Sequence, residues 1–237
     1  MTSPNPDGEL CGPAACVVII PAHNEAEDVG SVIDEIRNSH HYPVVVVDDA
    51  STDETVAKAR EAGATVIPLV TQLGAWGAIQ TGLRYASAHG FGFAITMDAD
   101  GQHEADSIAD MVKPVLAQQA DVSIGTCTRR GSVLRQIAWV IMKRVSGLSL
   151  EDITSGFRVY NRKAIEILAA KPATLLEYQD VGVLMLLQSK GASITDVEVS
   201  MSPRRSGISR IFHSWASVTY YISYTLLLSI TKRNYRT

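Results

Sequence analysis

The chain has 237 residues, of which 46% are hydrophobic and 19% are charged, and its formal net charge at neutral pH is -4. These values are typical of one globular domain of ordinary size, or one domain with an appendage, and the sequence contains no internal repeat or low-complexity tract. Three cysteines without a CxxC pair, Cys11, Cys16 and Cys127, indicate neither a disulfide framework nor a zinc site. Residues 1–14 lack the regions of a secretory signal and are predicted to be a flexible lead-in.

Strand and helix patterns alternate from residue 16 to residue 126. Short β-branched runs predict buried strands, and apolar residues at helical spacing predict the helices between them. The predicted strands are CVVIIPAHNE, ended by Pro21, then VVVVDDAS, ATVIPLV, FGFAITMD and ADVSIGT. The predicted helices are AEDVGSVIDEIRNSH, DETVAKAREAG, AWGAIQTGLRYASAHG and ADSIADMVKPVLAQQA. This alternation predicts an α/β fold with a mostly parallel sheet.

Local signals mark the ends of two of these helices. Ser51 or Thr52 is the predicted N-cap of the second helix, and Gly63 is its predicted C-terminal stop. Pro114 predicts a kink or break in the fourth helix.

The pattern changes after residue 126. VLRQIAWVIMKRV predicts an amphipathic helix, followed by DITSGFRVYNRKAIEIL, a helix around LLEYQDVGVLMLLQSKG and a strand ITDVEVSM. The last segment, IFHSWASVTYYISYTLLLSITKR, is long enough to span a membrane but carries polar residues throughout. We expect residues 210–237 to form an amphipathic helix in the membrane interface, and the alternative is a helix packed on the protein's own core. Residues 15–209 form the predicted α/β domain.

The charge is distributed unevenly along the chain. Residues 122–150 contain five Lys or Arg and no acid, residues 199–237 contain six and no acid, and the remainder carries a balance of -15. Blocks of one sign favour an anionic partner such as a phosphate, a nucleic acid or a lipid surface. The aromatic and aliphatic residues of the second block favour a membrane surface, and we expect no nucleic-acid partner.

Two carboxylates, Asp98 and Asp100, follow the fourth predicted strand. Ligands of parallel sheets bind beyond the carboxyl ends of the strands. The two side chains can point to the same side if the chain stays extended there, because strand side chains alternate. A divalent cation would offset their repulsion, and Mg²⁺ is typically held by one or two carboxylates plus substrate phosphates. Gln102 can add a neutral oxygen ligand.

Polar residues also end the first two strands and suit a nucleotide. Asn24 and Glu25 open the loop after the first strand. Asp49 ends the second strand and can accept a hydrogen bond from a base N–H or a ribose hydroxyl. The alternative for this DDAS segment is a cap on the next helix.

Five segments in this order, VVIIPAHNE, VVVDDASTDET, MDADGQH, DITSGFRVY and RRSGISR, resemble family 2 glycosyltransferases of the GT-A fold. Within that family they resemble the dolichyl- and polyprenyl-phosphate glycosyltransferases. The resemblance runs from about Cys16 to Arg210. It implies a Rossmann-like, mostly parallel central sheet flanked by helices.

The resemblance also implies a role for individual residues. The donor nucleotide would be bound by Pro21, Ala22, Asn24, Glu25, Asp49, Gly74, Asp98 and Ala99. Asp98, Asp100 and Gln102 would hold Mg²⁺ or Mn²⁺ on the donor diphosphate. The acceptor phosphate site would be lined by Arg129, Asp152, Ser155, Arg158, Arg204, Ser209 and Arg210. The implied catalytic set is Asp100, Asp152, Arg158 and Asp180. The chain departs from the family pattern in GTCTRR, where Cys127 replaces an expected Arg and Arg129 or Arg130 would substitute.

The implied function is inverting, metal-dependent transfer of a sugar from a UDP- or GDP-sugar to a polyprenyl or dolichyl phosphate. The enzyme, a hexosyltransferase, would associate peripherally with the cytoplasmic face of the membrane, and a homo-oligomer or a small membrane-protein partner is left open. A phosphomonoester, with a second pKa of about 6, is largely anionic at neutral pH and needs no general base. The alternative is a sugar hydroxyl acceptor in cell-surface polysaccharide synthesis, with Asp180 as the base.

Three other functions are weaker alternatives. MDADGQ also resembles the start of haloacid-dehalogenase-type phosphatases, but there the motif opens the domain and here it follows the fourth strand. A non-catalytic membrane-bound scaffold would not need intact metal and nucleotide motifs. A Rossmann oxidoreductase is disfavoured because no GxGxxG follows the first strand.

Overall fold

The computed structural model describes residues 16–102, 104–127, 155–176 and 181–200, and every structural statement below concerns those ranges. The strands are β1 (Cys16–Ala22), β2 (Val44–Asp48), β3 (Thr65–Pro68), β4 (Phe93–Thr96), β5 (Val122–Thr126), β6 (Arg158–Asn161) and β7 (Ile194–Glu198). The α-helices are α1 (Val29–His40), α2 (Thr55–Glu61), α3 (Gly74–Ala88), α4 (Ile108–Leu116), α5 (Arg162–Ala169) and α6 (Val181–Ser189). Short 3-10 helices cover Ala105–Ser107 and Lys171–Leu175.

The strands form one sheet in the order β3-β2-β1-β4-β6-β5-β7. β6 runs antiparallel to β4 and β5, and the other pairs are parallel. This confirms the predicted mostly parallel α/β sheet. The chain proceeds from β1 outward to β3 and then returns to place β4 on the other side of β1. The strand order therefore reverses between β1 and β4, where open α/β sheets bind ligands.

Apolar side chains cover both faces of the sheet. Val17 and Ile19 of β1 belong to the cluster packed under α3, α5 and α6, whereas Val18 and Ile20 belong to the cluster under α1 and α4. This two-sided burial explains why β1 and β2 are continuous β-branched runs. The approach of α3 to β1 is close, since a Cβ built on Gly82 would lie 2.3 Å from Cγ2 of Ile19.

A polar cluster around Asp121 joins β5, β6 and β7 at the edge opposite the carboxyl ends of the parallel strands. The Asp121 carboxylate accepts from Nδ2 of Asn161 at 2.7 Å, Nζ of Lys163 at 2.9 Å and the amide of Ser193 at 2.8 Å. Burial raises the pKa of Asp121, but the hydrogen bonds from Lys163, Ser193 and Asn161, with the Lys163 charge, outweigh it and lower the pKa to about 2.

Strand β1 does not end at Pro21, as predicted, but continues to Ala22. The amide of Met97 donates to the carbonyl of Ile19, so the backbone of Ile19 faces β4. Pro21, two residues on, faces the same way beyond the last β1–β4 pair, Ile19 with Thr96. Its missing N–H therefore removes no ladder hydrogen bond.

The predicted start of α2 is also wrong. Helix α2 begins at Thr55, and neither Ser51 nor Thr52 caps it. Instead, Oδ1 of Asp53 accepts from the amide of Thr55 at 3.0 Å. Ser51 and Thr52 bond to Asn24, which is far away in sequence and so invisible to a local capping rule.

Two other helix signals have different outcomes. Gly63 has φ +83°, the left-handed conformation that ends a helix, and the predicted stop is confirmed. Pro114 lies inside α4, which continues for two more residues to Leu116, so the predicted break does not occur at the proline. The predicted helix at 133–145 and the predicted C-terminal helix at 210–237 lie outside the described residues. None of the helices within the described ranges has the length and apolar character needed to cross a membrane.

Candidate donor-binding and metal site

The segment after β4 turns sharply instead of staying extended. β4 ends at Thr96, and the chain turns through Ala99 and Asp100, with Gly101 at φ +67°. This turn sets the positions of Asp98 and Asp100. The alternation of side chains along an extended strand therefore does not apply to them. Asp100 is only 5% exposed, and its Oδ1 accepts from the amide of Gln102 at 3.1 Å.

The carboxylate of Asp98 lies against the backbone of Gly156. In the β4–β6 pair, Thr96 stands opposite Arg158, which brings Gly156 beside Asp98. A Cβ built on Gly156 would lie 2.7 Å from Oδ1 and 3.0 Å from Oδ2 of Asp98. The Thr96 hydroxyl donates to the carbonyl of Gly156 at 2.7 Å and fixes this backbone. Asp98 can occupy this position only because residue 156 is glycine.

Asp49 holds the start of α3. Its Oδ1 accepts from the amide of Leu73 at 2.6 Å, and its Oδ2 accepts from the amide of Gly74 at 2.9 Å. A carboxylate is favoured at a helix N-terminus by the unpaired amides and the helix dipole. Asp49 thus binds the N-terminus of α3, not that of the next helix, α2. Asp49 and Gly74, both predicted to bind the donor, are in direct contact.

The loop after β1 is hydrogen-bonded to the loop after β2. The amide of Asn24 donates to Oγ of Ser51 at 2.9 Å, and the amide of Thr52 donates to Oδ1 of Asn24 at 2.9 Å. The Nδ1 atom of His23 lies 2.8 Å from the carbonyl oxygen of Asp49. Asn24 is therefore fixed from both its backbone and its side chain.

Asp53, an acidic residue of the loop after β2, also contacts the loop after β1. Burial raises its pKa, but hydrogen bonds from the Thr55 hydroxyl and from the amides of Thr55 and Ala26 outweigh that effect and lower the pKa below its usual value. The carboxylate is held in its charged form as a hydrogen-bond acceptor.

Ser155 and Arg158 lie at the start of β6, on either side of Gly156. Arg158 has no exposed surface, and its Nε donates to the carbonyl of Ser155 at 2.9 Å. The hydroxyl of Ser155 accepts from the amide of Phe157 at 3.3 Å. Because β6 is antiparallel to β4, its first residues lie at the edge where β4 ends. Arg158 is thereby paired with Thr96, two residues before Asp98.

The structure brings together the predicted site residues that it describes, all at the carboxyl edge of β1, β2 and β4. These residues are Pro21, Ala22, Asn24, Glu25, Asp49, Gly74, Asp98, Ala99, Asp100, Gln102, Ser155 and Arg158. The remaining predicted residues lie outside the described residues: Arg129, Asp152, Asp180, Arg204, Ser209 and Arg210.

Sequence reasoning missed Gly156 and Asp53. Gly156 stands in the quoted segment DITSGFRVY, but its contact with Asp98 depends on strand pairing over 58 residues of chain. For Asp53 a local signal does exist, since Ser51, Asp53 and Thr55 are short acceptor side chains at alternate positions.

The residues present fit a hard divalent cation. Asp98, Asp100 and Gln102 offer carboxylate and amide oxygens, which Mg²⁺ and Mn²⁺ prefer. The carboxylate of Asp98 lies so close to the backbone of Gly156 that a side chain at residue 156 would collide with it, so the position of the carboxylate is tightly constrained. No group of three or more His, Cys, Asp or Glu within the described ranges could hold a metal by itself. Because Mg²⁺ is octahedral, a cation held by Asp98, Asp100 and Gln102 would take further ligands from a bound diphosphate or water.

A mostly parallel sheet with acidic and amide side chains at the switch between β1 and β4 defines an α/β protein with a ligand-binding edge. The family model Glycosyl transferase family 2 matches residues 17–168, well over half of the chain. The chain belongs to that family, and the predicted enzyme class, a glycosyltransferase, is confirmed.

Similar proteins agree with this assignment. An uncharacterised protein of Methanocaldococcus jannaschii is 33% identical over 137 residues, which are 58% of this chain and only 56% of that protein. Polyprenol monophosphomannose synthase of Mycolicibacterium smegmatis is 26% identical over 213 residues, covering 82% of this chain and 80% of that protein.

A solved structure shows the same fold. It is glucosyl-3-phosphoglycerate synthase from Mycobacterium tuberculosis in complex with Mn²⁺, uridine diphosphate and phosphoglyceric acid. The TM-score is 0.74 at 20% sequence identity, and the alignment covers 94% of this chain and 81% of that chain. The predicted GT-A fold is confirmed.

Proposed function

We propose that the protein transfers a sugar, with inversion, from a nucleotide sugar to a polyprenyl phosphate at the cytoplasmic face of the membrane. The observation that carries this proposal is the Asp98 carboxylate held against Gly156, beside the buried Asp100 and next to the Arg158 strand. This arrangement provides oxygen ligands for a cation and positive charge for an anion at one edge of the sheet. The name of the mycobacterial relative, which specifies a polyprenol phosphate product, supports the acceptor class.

Asp98, Asp100 and Gln102 would hold the cation. Bound Mg²⁺ or Mn²⁺ would offset the negative charge that develops on the leaving nucleoside diphosphate. The M. tuberculosis structure contains Mn²⁺ and uridine diphosphate on the same fold, which is consistent with this use. The amide of Gln102, held by Oδ1 of Asp100, keeps the two residues together after the turn.

Asp49, Asn24 and Glu25 would bind the nucleotide. Each carboxylate oxygen of Asp49 accepts one hydrogen bond from the start of α3 and retains a further lone pair. Asp49 can therefore accept from a base N–H or a ribose hydroxyl without releasing α3. Its position is fixed before the nucleotide arrives.

Arg158 and Ser155 would lie at the acceptor phosphate, together with Asp152 and the predicted arginines outside the described residues. An anionic phosphate oxygen attacks the anomeric carbon of the donor and needs no proton removed. The site must instead hold one anion beside another, and guanidinium groups do so through charge-assisted hydrogen bonds. Arg158 belongs to β6, and the hydrogen bond from its Nε to the carbonyl of Ser155 fixes the buried side chain near the end of β4.

The test is transfer by the purified full chain from a panel of UDP- and GDP-sugars to a polyprenyl phosphate. Polyprenol, which lacks the phosphate, is the matched control acceptor. We expect product only with the phosphate, loss of activity with EDTA and recovery with Mn²⁺. Transfer to polyprenol alone, or to a sugar hydroxyl with loss in Asp180→Asn, would instead establish the hydroxyl-acceptor reaction.

A pair of variants tests the metal ligands. Asp100→Ala should lower transfer by about 100-fold or more, because several kcal/mol of charge stabilisation are lost. Asp110→Ala is the control, since the Asp110 side chain is 63% exposed and pairs with Lys113 on the surface of α4. Full activity in Asp100→Ala, or activity unaffected by EDTA, would rule out this metal site.

Membrane association is tested separately, by sedimentation with liposomes. Deleting residues 211–237 should release the protein from the vesicles, because the basic and aromatic segment would be removed. Unchanged sedimentation of the shortened chain would contradict an interfacial role for this segment.

A further inference from the structure

Three successive backbone amides in the loop after β1 donate to side chains of the segment that runs from the end of β2 to the first residue of α2. The amide of Asn24 donates to Ser51 Oγ at 2.9 Å, that of Glu25 to Thr55 Oγ1 at 2.8 Å, and that of Ala26 to Asp53 Oδ2 at 3.3 Å. We call the three acceptors, Ser51, Asp53 and Thr55, the loop clasp. They occupy alternate positions along the chain, and each provides one side-chain oxygen to one of the three neighbouring amides.

Asp53 organises the clasp internally. Its Oδ1 accepts from the amide of Thr55 at 3.0 Å and also from the Thr55 hydroxyl. Because a hydroxyl has a single proton, donation to Asp53 turns a lone pair of Thr55 Oγ1 towards the amide of Glu25. Asp53 thereby bonds Ala26 directly and Glu25 through Thr55.

The clasp also stabilises an unfavourable backbone. Asn24 has φ +55° and Ala50 has φ +58°, both in the left-handed region, which costs an alanine about 1–2 kcal/mol and an asparagine less. The backbone of Ser51 is also held, because its amide donates to Oδ2 of Asp48 at 3.3 Å. The clasp therefore joins Asn24 and Glu25 to the end of β2, where Asp48 and Asp49 lie.

We propose that Ser51, Asp53 and Thr55 are positioning residues that hold the loop of Asn24 and Glu25 ready for the nucleotide part of the donor. This proposal rests on the proposed function, because it assumes that the donor is a nucleotide sugar bound at this edge. The clasp residues do not touch the reacting atoms. Their loss should raise the donor KM and leave kcat almost unchanged, since the cost of ordering the loop is then met on donor binding.

Asp53→Asn is the central variant, because the amide group replaces one of the two acceptor oxygens that the clasp uses. We expect a donor KM raised by about 10- to 100-fold, in line with loss of one hydrogen bond to a charged group, and a kcat within about twofold of wild type. Glu54→Gln is the matched control, with the same change of charge one residue away and no side-chain bond to the helix end. It should leave KM unchanged.

Two further variants test whether a raised donor KM is caused by misfolding instead of by the loss of these hydrogen bonds. Ser51→Ala removes a single acceptor and should raise KM by a smaller factor. Thr55→Ser keeps the hydroxyl and should stay close to wild type, although residue 55 is fully buried. A large loss in Thr55→Ser would mean that packing, and not the hydroxyl, matters.

Two readouts are independent of sugar transfer: amide hydrogen exchange at Asn24, Glu25 and Ala26, and calorimetric binding of UDP and GDP. Asp53→Asn should speed exchange at Glu25 and Ala26 and weaken nucleotide binding by the same factor as KM. Faster exchange with unchanged nucleotide affinity would show a purely structural clasp and overturn the proposal, as would failure of both nucleotides to bind. If wild type binds a nucleotide but fails to glycosylate polyprenyl phosphate, the proposed acceptor is wrong and the clasp proposal is still decided by these two measurements.

Discussion

Gly156→Ala would place a methyl group where the carboxylate of Asp98 now lies. The built Cβ is 2.7 Å from Oδ1, 3.0 Å from Oδ2 and 3.1 Å from Cγ of Asp98. Ordinary contacts begin near 3.4 Å, so the nearer oxygen must move by about 0.7 Å. The new methyl group is a direct probe of whether the position of this carboxylate matters.

In this variant the carboxylate of Asp98 must move more than the backbone of residue 156, because that backbone is held by hydrogen bonds. The carbonyl of Gly156 accepts from the Thr96 hydroxyl at 2.7 Å, and the carbonyl of Phe157 accepts from the amide of Gly125 at 2.9 Å. A displacement of about 0.7 Å is a third of an Mg²⁺–oxygen bond of about 2.1 Å, and this ion tolerates little distortion. Changes next to metal ligands typically cost about 10- to 100-fold in affinity or activity. We expect a loss in that range for Gly156→Ala.

The assay is a titration of sugar transfer with Mn²⁺, accompanied by thermal unfolding of the same preparations. Gly156→Ala should need about tenfold more Mn²⁺ for half-maximal activity and should remain folded. Gly30→Ala is the control, because a Cβ built there meets nothing within 4 Å. If Gly156→Ala has the wild-type metal requirement and catalytic efficiency, Asp98 does not hold the metal.

Two further predictions concern stability. The lowered pKa of Asp121 stabilises the fold fully above its unfolded value of 3.8 and loses that effect as pH falls through about 2, so Asp121→Asn should cost up to about 2 kcal/mol at pH 7 and about half as much at pH 3. Urea unfolding at several pH values measures this, and a difference independent of pH would contradict the linkage. Gly82→Ala should destabilise by about 1 kcal/mol, because overpacking against Ile19 at 2.3 Å exceeds the gain in helix propensity. An unfolding midpoint equal to or above wild type would show that α3 shifts freely.

The sequence predicts the central strands well because their burial is local information. Val44 to Val47 are all buried, and a β-branched run of this kind is typical of a parallel strand that is covered on both faces. The chain order of strands and helices then leads directly to a mostly parallel sheet. The antiparallel β6 is not foreseen, because the pairing of Arg158 with Thr96 and Ile124 joins segments far apart in the chain.

The candidate site is predicted less completely for the same physical reason. The motifs identify Asp49 and Asp98, since acidic residues after apolar strands are visible in the sequence. Their partners are not visible: Asp49 binds amides 24 and 25 residues away, and Asp98 lies on a glycine that only strand pairing brings close. Local rules instead assign Ser51 to a helix cap, whereas it accepts from the amide of Asn24.

The charges at the carboxyl edge divide into two kinds. Asp49 and Asp53 are matched by backbone amides of α3 and of the loop after β1, so their charge is already offset before any ligand binds. Asp98 and Asp100 follow β4 at the place where a donor diphosphate would lie, and two carboxylates beside a diphosphate repel it. If the donor diphosphate binds there as proposed, positive charge must offset this repulsion, and a divalent cation at the two carboxylates would supply it. The proposed arrangement predicts that nucleotide affinity will depend on the divalent cation much more strongly than nucleoside affinity does, because only a nucleotide would bring a diphosphate to the two carboxylates.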